Sequence, residues 1–136
     1  MIEPSPLLRR VLVADAVICL IAAADLILLT GLARDLTGLP EGLLRGAGIV
    51  LLVVAATVLW LARRAQVPAL AIKVLIALNL VWAVDSVLLL LSGWVEPTAF
   101  GTSVVLVQAA VTLVVAGLQA AGLARSRPVG RLAAPA

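Results

Sequence analysis

Four apolar stretches, each long enough to form a helix that crosses a bilayer, constrain this chain more than any other feature. They cover residues 7–32, 41–63, 68–92 and 97–124. An apolar helix of about 20 residues spans the hydrocarbon core, because each residue adds about 1.5 Å and the core is about 30 Å thick. The segments between them break helices. They are Gly31 with the run from Asp35 to Pro40, then Arg63 to Pro68, then Gly93 to Pro97. Pro6, Pro40, Pro68 and Pro97 stand at the starts of the four stretches, where a missing backbone N–H costs little. The fold class expected is all-α and integral to the membrane: a four-helix transmembrane bundle running up-down-up-down. Residues 1–124 form its single domain, and residues 125–136, rich in Ser, Pro, Gly and Ala, are expected to be a disordered cytoplasmic tail. The longest loop, of about a dozen residues, is too short for a core of its own.

Composition narrows the chemistry. Of 136 residues 64% are apolar and 12% charged, too little polar surface to cover a soluble core of this size. There is no His and no Tyr, and Cys19 is the one cysteine. An internal disulfide, a His-based nucleophile triad, and the usual His or Cys zinc and haem sites are therefore excluded. No phosphate-cradling Gly-rich loop is present. The chain is expected not to be an enzyme and to carry no cofactor or metal. Its net charge of +3 resides in basic groups beside the apolar stretches, which points to the lipid bilayer as a partner and not to nucleic acid.

Those basic groups also set an orientation. Arg9, Arg10, Arg63, Arg64, Lys73, Arg125, Arg127 and Arg131 fall toward one side, against Arg34 and Arg45 toward the other, a ratio of eight to two. The positive-inside rule places both termini in the cytoplasm. Trp60 and Trp94 suit the two interfaces. The abundance of Ala, Leu, Val and Arg is that of a bacterial inner (plasma) membrane protein from a GC-rich genome. Arg9 and Arg10 followed by an apolar run and Ala22-Ala23-Ala24 have the outline of a cleaved signal peptide, but Asp15 interrupts that run and apolar residues continue past Asp25.

Ionisable groups inside apolar stretches mark candidate sites. Counted from the centre of each stretch, Asp25 and Asp85 lie roughly 7 Å into the outer half and Arg45 roughly 11 Å. A shift of 60 residues superimposes Asp25 on Asp85. These three are expected to form an intramembrane polar cluster, since arginine can reach a carboxylate and bind it with two parallel hydrogen bonds. Asn79, Trp82, Asp85 and Ser86 share one face of the third stretch, and Lys73 lies opposite. Lys73, Arg63 and Arg64 are candidate lipid-headgroup contacts. Gln108, Thr112 and Gln119 share one face of the fourth and, with Asn79, form a candidate polar lining or interhelical hydrogen bonds. Asp15 lies in the inner half, where Arg63, Arg64 or Gln119 could satisfy it, with Cys19 one turn further on as a packing residue. Gly46, Gly48, Ala55 and Ala56 make the second stretch small-sided.

Two functional expectations follow. The first is a structural or interaction membrane protein, an accessory chain or one that self-associates with a homo-oligomer or membrane-protein partner. The second is a small proton- or cation-coupled transporter or channel using Asp25 and Asp85 with Arg45. Small multidrug-resistance transporters and fluoride channels share the number of spans, but the former use a first-span Glu with aromatic partners and the latter pairs of Phe. Here the first stretch has no Glu and Phe100 is the one Phe, so the likeness ends at span count.

Overall fold

A computed structural model describes residues 1–130. These residues are all-helical apart from two short strands. Its elements are β1 (Ile2–Glu3), α1 (Pro6–Leu28), α2 (Thr30–Thr37), α3 (Glu41–Arg63), α4 (Ala69–Leu91), α5 (Ala99–Ala124) and β2 (Arg127–Pro128). Four of the helices, α1, α3, α4 and α5, are long and apolar enough to cross a membrane.

Local chemistry sets where each begins. Ser5 caps α1, its hydroxyl accepting from the Leu8 N–H at 3.1 Å, with Pro6 in the first turn. Thr98 caps α5 in the same way, accepting from the Gly101 N–H at 3.0 Å. Pro40 and Pro68 hold the extended backbone that precedes α3 and α4.

The first apolar stretch does not run unbroken to residue 32. Leu29 leaves helical geometry (φ −115°, ψ 32°), and the Thr30 hydroxyl donates to the Leu26 and Ile27 carbonyls that α1 leaves without helical partners. The chain then turns into α2, which ends at Gly38 in the left-handed conformation (φ 72°). A helix thus stands where the sequence suggests the last turn of a span and a plain loop.

The long helices pair as α1 with α3 and α4 with α5, and the pairs meet where α1 packs on α5. Glycines permit the closest approaches. A Cβ on Gly48 would lie 2.9 Å from Ile27 Cγ1, and one on Gly122 would lie 2.7 Å from Leu8 Cα. Two apolar clusters close the two ends. One is built on Leu8, Leu12, Val58, Leu61, Ile72 and Leu75, the other on Leu39, Leu44, Val95 and Val105.

Backbone contacts lock both ends. Ile2 and Val67 exchange N–H···O bonds of 2.8 and 2.9 Å, β1 pairs antiparallel with β2, and the Val129 N–H donates to the Met1 carbonyl. The Ser5 hydroxyl donates to the Gly122 carbonyl at 2.7 Å, and the Arg9 guanidinium to the Ala62 carbonyl at 2.8 Å. At the other end the Thr98 N–H and hydroxyl donate to the Thr37 and Leu36 carbonyls at 2.9 and 2.6 Å. Arg127 and Pro128 are therefore in a strand, where the sequence suggests a tail without structure, because β1 offers its backbone as a partner. Arg131 and the rest of that tail lie outside the described residues.

Among the described residues the ion pairs are those of Arg34 with Asp35 (3.0 Å) and Glu41 (2.9 Å). The hydrogen bonds that the Arg34 guanidinium donates to the Asp35 carboxylate, with the charges of Asp35 and Glu41, push its pKa up. All three groups are exposed, so the pairs add little to stability.

Candidate functional site

Between the two end clusters the bundle is hollow. A cavity of about 660 Å³ opens there, lined by α1, α3, α4 and α5. Its walls are mainly apolar, and its polar groups include Asp15, Asn79, Trp82, Asp85, Gln108 and Thr112. Among the described residues two carboxylates line it and no Lys or Arg does. Val50 and Val81 on its walls are about half exposed (49% and 54%), so the cavity is open at the side and not sealed.

Among the described residues Asp15 is the most enclosed ionisable group. It lies on the packed face of α1 with Leu8, Leu12, Ala16, Cys19 and Ala23, and is 5% exposed. That face recurs every three or four residues, as a buried helix stripe must. Gln119 of α5, fully buried, donates from Nε2 to Asp15 Oδ2 at 2.9 Å. Cys19 Sγ donates to Oδ1 at 3.5 Å. Asn79 of α4 in turn donates from Nδ2 to Gln119 Oε1 at 3.0 Å. One line of hydrogen bonds thus joins α1, α5 and α4. A carboxylate oxygen offers two acceptor directions, and each oxygen of Asp15 uses one within the chain, so further acceptor capacity remains.

A second group ties α4 to α5. Trp82 Nε1 donates to Gln108 Oε1 at 2.7 Å, and Gln108 Nε2 donates to Ser86 Oγ at 2.8 Å and to the Val105 carbonyl at 3.0 Å. The Ser86 hydroxyl donates to the Trp82 carbonyl and the Thr112 hydroxyl to the Gln108 carbonyl, both at 2.7 Å. Gln108 is therefore held on every side, and the indole beside the cavity is fixed.

The structure does not bring Asp25, Arg45 and Asp85 together. All three are exposed, and Arg45 forms no ion pair with either carboxylate. Asp25 follows the buried Ala23 by two residues, which turns it roughly 200° from the packed face of α1. Because α1 ends at Leu28, its midpoint is Val17. Asp25 then lies roughly 12 Å from the middle and Asp15 only about 3 Å. Of the three, Asp85 alone lines the cavity. Asn79, Gln108 and Thr112 do line it, whereas Gln119 sits behind the wall and positions Asp15. Lys73, Arg63 and Arg64 are exposed, and the Arg64 guanidinium lies over the Trp60 ring at 4.2 Å. Sequence reasoning passed over Asp15 as the central group. The available signal was its place one turn from Cys19 on the same stripe as Leu8 and Leu12. Nothing in the sequence pairs Trp82 with Gln108.

Among the described residues no group of three His, Cys, Asp or Glu side chains is placed to hold a metal ion. The arrangement suits other chemistry. Carboxylates on an apolar wall without a basic neighbour can take up a proton or balance a small cation. No protein-family model, curated protein or solved structure matches this chain.

Proposed function

We propose that this chain is a small four-span integral membrane protein in which a proton or small cation is handled at the central cavity. The four long helices cross the bilayer up-down-up-down. The end where β1, the α3–α4 loop and β2 meet faces the cytoplasm of a bacterial inner membrane, because Arg9, Arg10, Arg63, Arg64, Arg125 and Arg127 gather in the segments that join there. Exposed Leu20, Ile21, Val53 and Val114 suit a lipid surround. One observation carries the functional reading: Asp15, buried and close to the middle of α1, borders a cavity that holds a second carboxylate, Asp85, and, among the described residues, no basic one. The acting pair is then Asp15 and Asp85, in place of Asp25 and Asp85 with Arg45. The chain belongs to the class of proton- or cation-coupled carriers or channels and carries out no covalent catalysis.

Flux into proteoliposomes loaded with a pH-sensitive dye tests this. The wild-type chain should dissipate an imposed proton or monovalent-cation gradient, Asp15→Asn should abolish the flux, and Asp25→Asn should leave it unchanged. A wild-type chain with no flux, or one in which Asp15→Asn does nothing, removes the reading.

A second reading is a structural or accessory protein that associates with a copy of itself or with another membrane protein. Gly42 and Gly46, one turn apart on α3, are exposed and have no atom within 4 Å of where a Cβ would stand. Exposed Arg45 lies beside them. Such small faces allow close helix contact between chains. Gly46→Ile should then dissolve an oligomer seen by crosslinking, while a wild-type chain that is monomeric in bilayers excludes this reading.

A further inference from the structure

We propose that the groove between α1 and α5, on the opposite side of α1 from α3, holds one acyl chain of an anionic phospholipid whose phosphate is bound by Arg10. The groove is about 610 Å³ in volume and is lined by Ala14 and Ile18 of α1, by Val111, Val114 and Leu118 of α5, and by other apolar residues. Among the described residues Arg10 is its one polar side chain, and no carboxylate lines it. Direction follows from the end contacts. Ser5 at the start of α1 is bonded to Gly122 near the end of α5, so Arg10 and Leu118 share the basic end of the groove. The Leu8–Gly122 approach closes the gap just beyond Arg10. From Arg10 to Ile18 is eight residues, roughly 12 Å of helix. One leaflet of hydrocarbon is about 15 Å deep, so the groove matches one chain lying along a single leaflet.

Charge identifies the headgroup. Arg9 donates to the Ala62 carbonyl and Arg64 lies on Trp60, but among the described residues Arg10 has neither a hydrogen-bond nor an ion-pair partner and is exposed. Its guanidinium can grip a phosphate with two parallel hydrogen bonds. On the orientation proposed above, it stands in the cytoplasmic leaflet, where anionic lipids attract basic side chains. An apolar groove alone takes any acyl chain, and Arg10 adds the preference for a negative headgroup. The inference rests on the membrane reading but not on transport.

Native mass spectrometry of the full chain tests it, after reconstitution with equal amounts of phosphatidylglycerol and phosphatidylcholine of the same chain length. One phosphatidylglycerol should be retained per chain, favoured roughly fivefold, the ratio expected from one arginine near the surface. Arg10→Gln should bring the two lipids to parity. Ala110→Phe, which fills the groove, should lower retention of both, Arg64→Gln should retain the preference, and inorganic phosphate should not displace the lipid. Parity in the wild type, an unchanged preference in Arg10→Gln, displacement by phosphate, or a lipid-free dimer occupying the groove would each overturn the proposal. Release of the chain from membranes by alkaline carbonate would instead remove the membrane reading on which it rests.

Discussion

Gln119 joins three helices, and replacing it with leucine probes that role directly. Its Nε2 donates to the Asp15 carboxylate at 2.9 Å and its Oε1 accepts from Asn79 at 3.0 Å, with the side chain fully buried. Leucine nearly preserves the volume and removes both bonds. With the Asp15 carboxylate ionised, the bond to it contributes about 1.5–3 kcal/mol. The bond from Asn79 is an ordinary interhelical contact, about 0.6 kcal/mol on average inside a membrane protein. Gln119→Leu should therefore cost about 2–4 kcal/mol. Most of that cost comes from a buried carboxylate left with Cys19 as its one partner within the chain. Removing the carboxylate as well should recover much of it, because replacing both members of a buried polar pair by apolar groups is close to neutral. Denaturation in mixed micelles of the wild type, Asp15→Leu, Gln119→Leu and the double variant measures the coupling. If the double variant loses the sum of the two single losses, or Gln119→Leu is as stable as the wild type, Asp15 and Gln119 are not partners.

Gly122→Val should lower stability in the same assay by about 1–3 kcal/mol, the usual cost of overpacking, because a Cβ there meets the Leu8 backbone and Cβ and not the far end of a side chain that can swing away. The orientation can be read with an impermeant maleimide in a Cys19→Ser background. A cysteine replacing Arg64 should react from the cytoplasmic side, and one replacing Trp94 from the opposite side, with reversed labelling contradicting the arrangement.

The long helices were legible because apolar length and proline act locally. Pro6, Pro40, Pro68 and Pro97 mark the four starts in the sequence, and the structure adds the Ser5 and Thr98 caps, which also act within four residues. The end of α1 was less legible. Leu26 to Leu32 is apolar throughout save for Thr30 and Gly31, and hydropathy cannot register a threonine hydroxyl bonding back to Leu26 and Ile27. That one boundary moved the inferred midpoint of α1 from Leu20 to Val17. Counted from Leu20, Asp15 and Asp25 lie five residues to either side, at equal depth, so the shared outer half with Asp85 and Arg45 singled out Asp25. Rotation about the axis compounded the error: depth along a helix says nothing of which side faces its neighbours, and Asp25 faces away from the packed stripe while Asp15 belongs to it. By contrast, Asp85 was placed with Asn79, Trp82 and Ser86 by helical phase within a single element, and that group does face the α4–α5 contact and the cavity.

Why the middle stays open while both ends close is a question of where the small residues fall. Gly122 brings α5 onto Leu8 at the basic end, Gly48 brings α3 onto Leu26 and Ile27, and Gly101 brings α5 against the Thr37 backbone at the far end. Between these points the cavity lining carries larger side chains such as Trp82, Val104 and Val111. A gap of this kind would collapse if nothing else linked its walls. Here the Asp15–Gln119–Asn79 line and the Trp82–Gln108–Ser86 group link them, and each hydrogen bond fixes a side-chain direction that dispersion contacts alone leave free. The polar residues that make the cavity chemically useful are thus also the ones that keep its shape. Substitutions in it should therefore separate into two kinds: Gln119 and Gln108 should affect stability and flux together, and Asp85, which is exposed and forms no hydrogen bond among the described residues, should affect flux alone.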